Sequence, residues 1–186
     1  MRKGAKELNA KFGKGAFEYT GGVSVAYIQY TGSHYKKIAK RYRKSKYAAE
    51  ADFYLLLTNL RGQPDEVSAR VKSFMDEHRS GKWHRKSLLL WARLNEDVSY
   101  VWRKWTWVVF NGVISDEELI IKSEPYRLAA VEAFEELINK YPGTYEAKTA
   151  AVELKQLKQQ GGDKALYSIT NDSTALPWSR WGVEVK

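Results

Sequence analysis

Lys36, Lys37, Lys40, Arg41, Arg43, Lys44 and Lys46 place seven cations within eleven positions, and they are the residues here whose type and spacing most plainly promise chemistry. Such a run can engage the carboxylates, phosphates or sulfates of a polyanion through attraction that salt screens. Arg79, Lys82, Arg85 and Lys86 form a second cluster, accompanied by His78 and His84. The net charge of +9 is unevenly placed: residues 1–46 hold twelve Lys/Arg against Glu7 and Glu18, whereas the other 140 hold nineteen against twenty acids.

Covalent and acid–base chemistry has few candidates. The absence of cysteine excludes disulfides, thiolate metal sites and thiol nucleophiles. His34, His78 and His84 lack the i, i+4 spacing of a helical metal pair, and none has a carboxylate at helical reach. Asp76-Glu77, Glu96-Asp97 and Asp116-Glu117-Glu118 are adjacent acids, which on a helix point to different sides. Gly13-Lys14-Gly15 lacks the strand and helix that make a phosphate loop. The expectation is a protein that is not an enzyme and uses no metal or cofactor.

Aromatic residues offer a further surface. Trp83, Trp91, Trp102, Trp105 and Trp107 could form a platform for sugar or peptide, or simply pack a core. Trp91 and Trp105 lie on an apolar stripe, while Trp102 and Trp107 fall off it and are the candidates for an interface.

At 186 residues, 44% hydrophobic and 13% aromatic, the chain is long and apolar enough for one folded domain. No run approaches the roughly 20 apolar residues of a membrane helix, and the charged start leads into no apolar signal segment. Residues 1–22 are rich in Gly and Lys and are expected to be an extended basic arm. From about Val23 a helical period begins.

Three stretches can be superposed: Tyr42 to Ala51, His78 to Ser87, and Tyr141 to Ala150. The first two are offset by 36 residues, and the third lies 63 further on, one such period plus about 27 inserted residues. Before each corner the spacing i, i+4, i+7, i+11 recurs: Thr31, Tyr35, Ile38, Tyr42; then Val67, Val71, Phe74, His78; then Ala130, Phe134, Leu137, Tyr141. After each corner come Ala51, Leu55, Thr58; then Ser87, Trp91, Leu94; then Ala150, Leu154, Leu157. The pattern predicts an all-α chain of stacked antiparallel hairpins over residues 23–160, with an irregular tail over 161–186 that carries Trp178 and Trp181.

The insertion, about residues 95–125, extends the stripe through Leu90, Leu94, Val98, Val101, Trp105 and Val108, so a helix from Trp83 to Phe110 is preferred over a strand at 105–110. That helix would run roughly 42 Å at 1.5 Å per residue. Ser115-Asp116-Glu117-Glu118 reads as a capping box opening a short helix before Pro125.

The third repeat resembles a tetratricopeptide repeat, with Ala130, Phe134 and Pro142 at the family's spacing and Leu137 in place of a small residue. Lys140-Tyr141-Pro142-Gly143-Thr144 followed by Ala147 and Ala150 is similar to corners in bacterial outer-membrane assembly lipoproteins and the periplasmic coordinator of cell division. Lys40 to Ala51 has the same cadence, although Arg43 and Arg79 replace the corner proline. The resemblance covers residues 30–94 and 126–158, and it implies a solenoid scaffold, periplasmic or associated with the outer membrane.

Together these readings predict a non-catalytic adaptor. Equivalent corners on one edge would make a single basic ridge for an acidic protein or multi-subunit assembly, or for an anionic surface. Nucleic acid is the sharper alternative, and it is disfavoured because the aromatic residues fall on helix seams.

Overall fold

The structure, a computed structural model, describes residues 2–21, 26–58, 60, 64–100, 102–103 and 115–160. The contacts divide the chain into two compact units, Met1–Asn59 and Leu60–Lys186.

The N-terminal unit contains α1 (Arg2–Phe12), β1 (Phe17–Gly21), β2 (Ala26–Tyr30), α2 (Ser33–Arg41) and α3 (Ala48–Thr58). The described part of the expected arm is therefore a helix and a strand. Its fastening is a side-chain device that apolar periodicity does not reveal. The Asn9 amide donates to the Phe17 carbonyl at 2.7 Å, and its oxygen accepts the Phe17 N–H at 2.8 Å, which satisfies both backbone groups as a sheet rung would. Gly13 at φ 106° and Gly15 at φ 78° make the reversal between α1 and β1, a conformation costly for any residue with a Cβ.

The strands pair antiparallel, with Phe17 opposite Tyr30 and Gly21 opposite Ala26. The helical period expected through Thr31 is overturned here: β2 precedes α2, and the helix begins only after Gly32 at φ 73°. A Cβ on Gly32 would stand 3.1 Å from Leu55 Cδ2, so glycine also lets α2 start close against α3. Rings then link the elements, Phe17 to Tyr30 at 5.5 Å, Tyr30 to Tyr35 at 5.7 Å and Tyr35 to Tyr54 at 5.1 Å.

The regular elements of the C-terminal unit among its described residues are helices: α4 (Pro64–Glu77), α5 (Gly81–Tyr100), α6 (Asp116–Lys140) and α7 (Tyr145–Gln160). Corners fall where the superposed stretches place them, between α2 and α3, α4 and α5, and α6 and α7. The spacing rule also identifies the core. Val67, Val71 and Phe74 of α4, Ala130, Phe134 and Leu137 of α6, and Ala150, Leu154 and Leu157 of α7 are all buried. Helix α5 lies against the other three and joins Leu88, Leu89 and Ala92 to that core.

Two expectations about the insertion change. Ser115 does cap α6, its Oγ accepting the Glu118 N–H at 3.2 Å, but the Glu118 carboxylate turns to Lys122 at 3.4 Å instead of closing a reciprocal box. The helix it opens is not short: α6 runs through Pro125 to Lys140. Burial of Leu119, Ser123 and Ala130 along one face outweighs the roughly 3 kcal/mol that an interior proline costs, and Pro125 itself is on the exposed side. Helix α5 reaches Tyr100, and the preferred helix over 105–110, the rival strand and the tail over 161–186 lie outside the described residues.

Candidate functional site

Helix α2 turns Tyr35, Ile38 and Ala39 partly inward, and at 100° per residue Lys36, Lys37, Lys40 and Arg41 occupy one continuous arc on the other side. The helix ends at Arg41, and the corner adds Arg43, Lys44 and Lys46. All seven cations are exposed. None of them has an acidic partner among the described residues. The whole N-terminal unit holds twelve Lys/Arg against four Asp/Glu, a net +8 over residues 1–59.

Cations of the C-terminal unit are used differently. Arg93 forks onto Glu153, with Nε at 3.0 Å from Oε2, and Lys158 reaches Glu135 at 2.7 Å. Arg127 clasps Glu124, and that hydrogen bond holds the Glu124 carboxyl below its ordinary value despite the opposing effect of burial. Lys140 sits 3.0 Å from Glu136, and this hydrogen bond raises the ammonium above the usual lysine value.

The second predicted cluster is likewise engaged locally. Arg79 is exposed and its Nε donates to the Asp76 carbonyl at 3.0 Å, covering the end of α4. Lys82 and Lys86 flank the Trp83 ring at 4.7 and 5.1 Å. Arg85 is half-buried, 3.5 Å from Glu146, and lies over the Tyr141 ring at 5.7 Å; its Nε is close enough for an ion pair yet not aligned for a hydrogen bond. This cluster belongs to the C-terminal unit and the α2 cluster to the N-terminal one. Trp102 is half-buried with Lys122 Nζ 5.1 Å from its ring centroid, and Trp107 lies outside the described residues.

The first and third corners open alike, although the helix after the first begins at Ala48, two aligned positions later than the one that begins at Tyr145. Tyr42 (φ −124°, ψ 40°) and Tyr141 (φ −129°, ψ 46°) each donate N–H to the carbonyl four residues back, Ile38 and Leu137. Ser45 and Thr144 then donate N–H to the carbonyls of Tyr42 and Tyr141. Ala48 and Ala51 match Ala147 and Ala150, all four buried. The surroundings differ. Tyr141 is covered by His84 and Arg85, at 6.1 and 5.7 Å, whereas Tyr42 is 56% exposed and Tyr47 is 54% exposed. Both exposed rings stand among the cations, and Lys46 Nζ is 5.1 Å from the Tyr47 ring centroid. The expectation that Tyr42 lies on a buried helix seam fails: it is 56% exposed, whereas Tyr141, at the same C-cap position, packs against the core.

Tertiary structure also supplies what adjacency in sequence does not. His84 Nε2 lies 4.0 Å from Glu136 Oε1, although no carboxylate lies at helical reach in sequence. Glu96 and Asp97, neighbours in α5, are 1% and 0% exposed, and each has a partner. No group of three or more His, Asp or Glu with metal-binding geometry occurs among the described residues. Nor is any described helix long and apolar enough to cross a membrane. Comparison with family models, curated proteins and solved structures gives no match.

Proposed function

We propose that this chain is a non-catalytic adaptor whose N-terminal unit holds a polyanionic partner on the cationic face of α2 and the corner behind it. The observation that carries this reading is the contrast, among the described residues, between seven exposed cations without acidic partners and a C-terminal unit whose described cations are largely committed to its own acids and rings. Clustered like charge raises the energy of the isolated protein, and a polyanion relieves it. The packed pairs α4–α5 and α6–α7, with α5 against α6, support a tetratricopeptide-like scaffold within the C-terminal unit. The wording of the α6–α7 corner favours an assembly of the bacterial cell envelope as its setting.

Fluorescence anisotropy tests the reading with two labelled probes, poly-L-glutamate and a fifteen-residue oligothymidylate. The triple variant K40E/R43E/K44E should bind whichever probe the wild type binds at least tenfold more weakly, while K140E/K148E/K155E changes affinity less than threefold. Both triples alter net charge equally, so the difference isolates position. Failure of the wild type to bind either probe, or equal loss in both triples, would overturn the proposal.

A further inference from the structure

We infer that the polyanion held by the α2–α3 corner is single-stranded nucleic acid, with bases stacked on Tyr42 and Tyr47 and phosphates held by Arg41, Arg43, Lys44 and Lys46. This rests on the proposed polyanion-binding role and names its partner. The argument starts from the repeated corner. At the α6–α7 corner the tyrosine is covered by a cation and an imidazole, Arg85 and His84. At the α2–α3 corner the tyrosine with the matching C-cap geometry is more than half exposed, and a second exposed tyrosine lies five residues on.

At the first corner Lys46 Nζ approaches the Tyr47 ring at 5.1 Å, and both tyrosines still stay more than half exposed among the four flanking cations. What fits there must bring flat, polarisable faces and closely spaced negative charge on one molecule. Carboxylate side chains satisfy the cations but leave the rings in water. An unpaired nucleotide offers a base for a ring and a phosphate for a cation at each step, and base–aromatic stacking tolerates any sequence. A duplex hides its base faces in its own stack, so the exposed rings favour single strands.

The experiment uses the full chain, the same two probes and a fifteen-base-pair duplex. Oligothymidylate should bind at least tenfold tighter than poly-L-glutamate of matched charge, and tighter than the duplex. Y42A/Y47A should weaken oligothymidylate binding at least tenfold and leave poly-L-glutamate binding unchanged, while Y42F/Y47F retains wild-type affinity because phenylalanine keeps the stacking face. Both residues are exposed at a corner, and unchanged circular dichroism confirms that the variants fold. If poly-L-glutamate binds as tightly as oligothymidylate and the tyrosine variants match wild type, the occupant is an acidic protein; this inference then fails while the adaptor reading stands. Tighter binding to duplex, insensitive to the tyrosines, also overturns it. If no probe binds, both proposals fall.

Discussion

Leu137 is 0% exposed and belongs to the same buried cluster as Leu88 of α5 and Leu154 of α7. Its truncation to alanine should cost about 2 to 5 kcal/mol by transfer and cavity terms together, read as a shift in the denaturation midpoint at constant m-value. Tyr35 behaves differently, because its phenol is raised above the ordinary tyrosine value, first by burial and then by Tyr30, Tyr54 and Glu50. A raised folded value means that this contribution to stability is complete below the ordinary value of about 10 and is lost as pH rises through the folded value. Alkaline melting of Tyr35→Phe should therefore fall less steeply above about pH 10 than that of the wild type. Leu137 was legible from its place in the i, i+4, i+7 pattern. Glu96 and Asp97 were not, since hydropathy assigns acids to solvent and only the crowding around α5 encloses them.

At the scale of elements, what the sequence revealed followed from period. Helices whose apolar residues recur on one face, α4, α6 and α7, bury the residues that the spacing selects. Elements held by other means were hidden: α1 and β1 depend on the Asn9 amide, and α2 starts where Gly32 permits a left-handed turn against Leu55. Replacement of Gly32 by alanine should destabilise the N-terminal unit by more than about 1 kcal/mol, since the backbone conformation and the 3.1 Å approach both oppose a Cβ. Loss of the Ser115 cap is a milder test. Ser115→Ala should cost about 1 kcal/mol in chemical denaturation, the usual value for an N-cap whose oxygen accepts a backbone N–H.

For the whole molecule the governing feature is charge division, a net +8 over residues 1–59 out of +9 for the chain. Sequence alone located the cluster, and the structure adds that its cations are exposed and have no acidic partners among the described residues. It also revises the role of the aromatic residues, because Tyr42 is 56% exposed where the matching Tyr141 packs against the core. The most direct measurement is the salt dependence of oligothymidylate affinity. Each phosphate contact on a single strand contributes about −0.7 to the slope of log K against log salt. K40E/R43E/K44E should make the slope shallower by about 1.4, as loss of the Arg43 and Lys44 phosphate contacts requires, while K140E/K148E/K155E leaves it unchanged. An unchanged slope in the first variant, or the same flattening in both, would contradict the assignment of binding to α2 and its corner.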